Sequence, residues 1–150
     1  MGHFLSAQAV SIVTYDPPGT VAAATVSILE RLLKPSQLRL DFTRSELPDL
    51  GAPIPHSVGL AMWSVTSEDS VSHVSECIAK FRLQQPQAFT IVLLRPELIA
   101  WERVLIESRV HLLLHYLSDL QNELRSALDR IPLSMVDRHP LTEGLLAKLP

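Results

Sequence analysis

The chain reads as an open α/β domain, a five-stranded parallel sheet with helices on both faces. Three observations predict it. Five short apolar or alternating runs are interleaved with helix-period segments across residues 9–131. Two of those runs, 58–65 and 88–94, are nearly continuous apolar sequence, the mark of strands covered on both faces. With 150 residues, 47% hydrophobic and 19% charged, the chain can bury a core within one domain.

Residues 9–15 are short and β-branched, and the cluster Asp16-Pro17-Pro18-Gly19 ends them as a first strand. Residues 20–33 follow as a helix with Val21, Ile28, Leu29 and Leu32 on one face, terminated at Lys34-Pro35. The alternation of 38–43 predicts an edge strand with one wetter face. Residues 44–56 hold Pro48, Pro53, Pro55 and Gly51, so the second crossover is irregular, with one short turn near 46–50. The third strand spans 58–65. Thr66 or Ser67 caps the next helix, and Glu68 and Asp69 favour its positive end. Val71, Val74, Cys77, Ile78 and Phe81 form that helix's buried stripe. The fourth strand is 88–94, and Pro96 opens a helix over 97–108. Residues 110–116 make the fifth strand. Ser118 with Gln121 reads as a capping box for a final helix to Ile131, with Leu120, Leu124, Ala127 and Leu128 inward. The domain is thus 1–131. Residues 132–150 form a tail with one short helix at 142–149 that packs on the domain.

Composition excludes several classes. A net charge of −3 with scattered basic residues offers no footprint for nucleic acid. The single cysteine, Cys77, makes no internal disulfide and fits a reducing compartment. Residues 1–8 lack a signal-peptide pattern, and no stretch approaches the roughly 18 apolar residues of a membrane helix. A cytoplasmic protein with no membrane partner is expected.

The order and spacing of these elements resemble the receiver (CheY-like) domain of bacterial response regulators. Val110-His111-Leu112-Leu113-Leu114-His115-Tyr116-Leu117-Ser118-Asp119-Leu120 looks like that family's fifth strand, loop and capped last helix. The resemblance implies a flavodoxin-like fold with strand order 2-1-3-4-5. It also implies working residues at the carboxyl ends of the strands: paired acids for Mg²⁺, an acceptor Asp, a Ser or Thr, and a Lys. In this chain those places fall on Asp16 alone, on Trp63 or Ser64, on Leu94 or Arg95, and on His115 or Tyr116. An indole has no nucleophilic oxygen, and one carboxylate holds Mg²⁺ weakly. The phosphoacceptor Asp is missing from the pattern, so no catalytic residue, metal or cofactor is assigned.

Other candidates stand beside this reading. The turn 16–20 lies where a helix start attracts anions, although it lacks the glycine spacing of a nucleotide loop. His111 and His115 share one side of an extended strand, too far apart to chelate one ion, and read as surface or hydrogen-bonded rings. Cys77 behaves as a small core hydrophobe. Arg95 stands at the mouth, where it can pair with Asp16 or Glu97 as a fixed charge in place of Mg²⁺.

On a helical wheel of 97–108, Leu98, Trp101, Val104 and Leu105 cluster, while Ile99 and Ile106 face water. With Trp101 and Tyr116 they form a candidate interaction surface. Either the tail covers it, or two chains pair there through the fourth helix, fifth strand and fifth helix, as receivers do. The expected function is a degenerate receiver-like module of bacterial signalling acting by protein–protein contact. The alternative is a flavin- or nucleotide-binding protein or enzyme using a crevice lined by Asp16, Ser64, Thr66, Arg95 and Tyr116.

Overall fold

The computed structural model describes residues 5–36, 38–50 and 57–138. Strands β1 (Leu5–Tyr15), β2 (Arg39–Ser45), β3 (Leu60–Val65), β4 (Phe89–Leu94) and β5 (Leu112–Leu114) lie parallel in the order β2-β1-β3-β4-β5. This is the parallel sheet that the sequence pattern predicts, in the flavodoxin-like strand order that the receiver resemblance implies. Helices α1 (Thr20–Leu33) and α4 (Leu120–Ala127) cover one face, and α2 (Val71–Gln84) and α3 (Glu102–Glu107) cover the other.

The two-residue period of β3 divides the core between these layers. Leu60 and Met62 join Val10, Ile12, Leu29, Phe89, Leu120 and Leu124 beneath α1 and α4. Ala61, Trp63 and Val65 join Val13, Val74, Ile78, Phe81 and Leu105 beneath α2 and α3. All six residues of β3 are buried, as a central parallel strand requires.

The structure departs from the sequence reading in five places. First, β1 begins at Leu5 because its leading half pairs antiparallel with a sixth strand, β6 (Ser134–Arg138), in register Leu5↔Arg138 to Ala9↔Ser134. The sequence reading has no strand in that part of the tail. Gly59 permits the approach: a Cβ there would stand 2.5 Å from the Pro132 carbonyl oxygen. The helix read over 142–149 lies outside the described residues.

Second, the segment after β4 is not one α-helix. A 3₁₀ helix spans Pro96–Trp101, with Leu98 off helical geometry at φ −100° and ψ 18°, before α3 begins. The helical wheel drawn over 97–108 therefore holds only from Glu102 onward. Third, the extended part of the fifth strand is Leu112–Leu114, so His111 and His115 flank it instead of sharing one of its sides. Fourth, Ser118 and Gln121 form no capping box; a 3₁₀ turn at Leu117–Asp119 leads into α4 without a side-chain cap bond. Fifth, β2 runs two residues further than the alternation indicates, to Ser45. Its partner β1 stays extended through Tyr15, and the parallel ladder carries Arg44 and Ser45 along with it.

Candidate functional site

The carboxyl ends of β1 and β3 meet at the centre of the sheet, where doubly wound folds bind ligands. Tyr15 pairs with Trp63, and one step further Asp16 and Ser64 leave the two strands side by side. The end of β3 carries no carboxylate; the next acids, Glu68 and Asp69, belong to the following 3₁₀ turn.

Asp16 is completely enclosed, at 0% exposure. Its Oδ2 accepts a 2.7 Å hydrogen bond from the backbone N–H of Ala22, one turn into α1. The carboxylate thereby caps a helix start from six residues upstream, where the helix dipole favours a negative group. Its Oδ1 has no hydrogen-bond partner, and neither has the equally buried Thr14 Oγ1 two residues back.

The surrounding turn is held from below. The Asp16 carbonyl accepts from Gly19 N–H at 3.0 Å and from Arg44 Nε and Nη2 at 3.0 and 2.8 Å. Arg44 Nη2 also donates to the Pro17 carbonyl at 2.8 Å. Gly19 closes the turn at φ +85°, a left-handed geometry that favours glycine. Pro17 and Pro18 have no N–H to offer, and the N–H groups of Gly19, Ala22 and Ala23 are all engaged. This loop is a structural turn with few donors left for an anion.

Arg44 was not a candidate, because the sequence reading ends the second strand at Thr43. The one available signal was register: a β2 ladder extended to match Tyr15 brings position 44 beside Thr14. The fixed positive charge expected from Arg95 belongs to Arg44 instead, which grips backbone carbonyls. Of the two acids offered to Arg95, the structure selects Glu97, with Nη2 donating to its carboxylate at 2.9 Å on the surface. Arg95 does not pair with Asp16.

Trp63 does not face this crevice. Its ring packs edge-on against Phe81, with centroids 5.4 Å apart and planes at 82°, under α2. Its Nε1–H donates to the Pro48 carbonyl at 2.8 Å, tying the irregular second crossover to the sheet. Ser64, on the opposite side of the strand, is the buried residue next to Asp16. His115 bridges the Leu94 carbonyl at 3.1 Å and the Glu102 carboxylate at 2.8 Å, joining β4 to α3. Tyr116 is exposed, and Thr66 is half-buried just beyond β3. His111 accepts the Thr90 N–H on Nδ1 at 3.0 Å and stacks on Phe89 at 4.7 Å. Partial burial, then the charges of Arg82 and Arg130, hold its pKa below the usual 6.5. Burial and the Asp49 carboxylate push the Cys77 thiol up, away from a reactive thiolate.

The residues present do not fit the divalent cation that the resemblance implies for this end of the sheet. Mg²⁺ needs near-octahedral oxygen coordination and keeps several waters. Asp16 is enclosed with one oxygen committed to α1, and a guanidinium sits on its own carbonyl. Among the described residues, no three His, Cys, Asp or Glu side chains gather as a metal-binding group.

A second feature lies on the segment from Pro96 to Leu117. Ile99 is 58% exposed, Ile106 52%, Tyr116 57% and Trp101 36%, while Leu105 is fully buried. Among the described residues, no helix is long and apolar enough to cross a membrane.

No protein-family model and no curated protein matches the chain. Solved structures do. A response regulator receiver domain protein (CheY-like) from Methanospirillum hungatei superposes with a TM-score of 0.59 at 13% identity, over 81% of this chain and 94% of that one. An adenylate cyclase from Rhodopirellula baltica superposes at 0.54 with 16% identity, over 81% and 89%. At such identities the likeness establishes a shared fold, the receiver-type doubly wound sheet.

Proposed function

We propose that this chain is a receiver-like regulatory module that works by protein–protein contact and not by phosphotransfer. One observation carries the reading: Asp16, the acid that directly follows β1, is sealed in the fold as the anchor of α1. Asp16 spends its Oδ2 on Ala22 and has no solvent exposure. The strand position beside it holds Ser64 in place of a carboxylate. The Lys place of the resemblance falls on His115 or Tyr116; His115 is committed to Glu102 and Leu94, and Tyr116 carries no positive charge.

The apolar side chains of Ile99, Trp101, Ile106 and Tyr116 support contact with a protein partner, homodimerisation included, because exposed aromatic and aliphatic anchors dominate interface energetics. Any switching would then come from a partner that binds two states of the module unequally. The test is incubation with a small phosphodonor and Mg²⁺, followed by intact-mass measurement. The unmodified mass is expected; a stoichiometric phosphoryl adduct overturns the reading.

A further inference from the structure

Three helical segments end where β4 and β5 begin, and each brings an arginine there. Arg82 lies in the last turn of α2, Arg109 just after α3, and Arg130 in the 3₁₀ turn that follows α4. Contacts join them into one cluster. Arg82 Nη1 donates to the Arg109 carbonyl at 2.6 Å. Two residues on, His111 stacks on Phe89 at 4.7 Å, and the Arg130 guanidinium carbon sits 4.8 Å from the centre of the same ring.

The cluster is positive and lacks acidic partners. Helix carboxyl ends carry partial negative charge, which helps the fold hold these cations together. Among the described residues, no carboxylate forms an ion pair with any of the three guanidiniums. Of the adjacent acids, Glu107 borders the cluster, and Asp129 lines a separate hollow beside α1. His111 adds a neutral donor: its Nδ1 accepts the Thr90 N–H, which places the ring proton on Nε2. Partial burial, then Arg82 and Arg130, lower its pKa, so both arginines act on this one ring. Arg109 follows α3 at φ +68°, a left-handed cap position better suited to glycine, and its side chain is exposed.

Beside Arg82 and Arg109, a hollow of about 340 Å³ is bordered by Ala79, Leu83 and Ser108, and Leu83 is 84% exposed. An apolar side chain set among carboxylates fits such a place. A nucleic acid fits it less well. The whole chain carries a net charge of −3, so a long polyanion meets repulsion beyond the patch. Phe89 is buried and offers bases no stacking platform.

We propose that Arg82, Arg109, His111 and Arg130 form a docking surface for a short acidic segment of a partner protein, which also sets an apolar side chain against Leu83. The surface lies at the opposite end of the strands from Asp16. The inference deepens the proposed function by giving the partner a chemistry, and rests on that reading only in its reliance on protein contact.

Fluorescence anisotropy of the full chain tests it, with a short fluorescein-labelled peptide of glutamates and leucines at near-physiological salt. Saturable binding is expected, weakening as salt rises and lost when glutamines replace the glutamates. Arg109→Gly should weaken binding about threefold, and so should Arg130→Gln; together they should cost about tenfold. The glycine relieves the left-handed backbone, so the Arg109→Gly melting temperature should not fall, which separates lost docking from lost folding. Absent binding, or an affinity indifferent to both substitutions, overturns the proposal. Tighter binding of an oligothymidylate of equal length also overturns it and assigns the patch to nucleic acid. A phosphoryl adduct in the intact-mass experiment would sink the phosphotransfer reading alone, and absent peptide binding would sink this surface alone.

Discussion

Replacing Asp16 by Ala removes the acceptor for Ala22 N–H at the start of α1. A hydrogen bond to a charged group contributes ~1.5–3 kcal/mol net, and the stranded buried N–H adds a penalty of ~1–3 kcal/mol. Against this, the substitution also removes Oδ1, a buried oxygen without a partner, whose relief is worth ~1–3 kcal/mol by the same reasoning. The balance is a destabilisation of about 2 kcal/mol. Asp16→Asn keeps an oxygen for Ala22 and drops the buried charge, so it should stay within ~1 kcal/mol of the unaltered chain.

Urea denaturation of the three proteins, each with Mg²⁺ and with chelator, reads both the size and the cause. A carboxylate that held Mg²⁺ would add stability growing with the logarithm of its concentration, ~2.7 kcal/mol at a hundredfold excess over Kd. The anchor role predicts the same curves with and without the ion. The reasoning is refuted if the Ala variant is as stable as the unaltered chain. It is equally refuted if Mg²⁺ stabilises the unaltered chain but not the Asn variant.

Gly59→Ala should destabilise by ~1–3 kcal/mol in the same assay, because the new methyl meets the Pro132 carbonyl oxygen at 2.5 Å and Ile131 Cγ2 at 3.3 Å. Lowering the pH should destabilise the fold through His111. Its folded pKa lies below 6.5, so the unfolded chain takes up the proton first; stability is full above that value and falls as pH drops through it toward the folded pKa. In His111→Gln the slope of melting temperature against pH over that window should flatten. Ile99→Lys with Ile106→Lys should leave stability within ~1 kcal/mol, since both side chains are more than half exposed. Sedimentation should show that pair abolishing any self-association of the unaltered chain; association that persists places the contact elsewhere.

Much of the fold was legible because burial on both faces writes itself into composition. The unbroken apolar run of β3 and the three- and four-residue steps of Val71, Val74, Ile78 and Phe81 each point to one structure only. Ser67 shows the same directness, its Oγ accepting the Asp69 N–H as a cap should. The misreadings share a different cause. Pro96 and an irregular Leu98 tighten the start of the helical segment after β4 into 3₁₀ turns, a choice between two hydrogen-bonding patterns with similar side-chain periods. Residues 134–138 make a strand only because β1 offers a free edge ahead of β3, a partner more than a hundred positions away.

For the site, residue types along the chain established that one acid, Asp16, follows the first strand and that none ends the third. They also marked Ile99 and Ile106 as surplus to one packed stripe, and both are exposed. Direction was beyond the sequence's reach. Whether Trp63 or Ser64 stands beside Asp16 depends on which way a pleat turns, and the packing of Phe81 and the Pro48 carbonyl decided it. Which arginine braces the β1 turn depended on long-range register, and Arg44 reached carbonyls 27 and 28 residues away while Arg95 closed on its neighbour Glu97. Local composition sets what each segment can become; only the assembled sheet sets what each polar side chain meets.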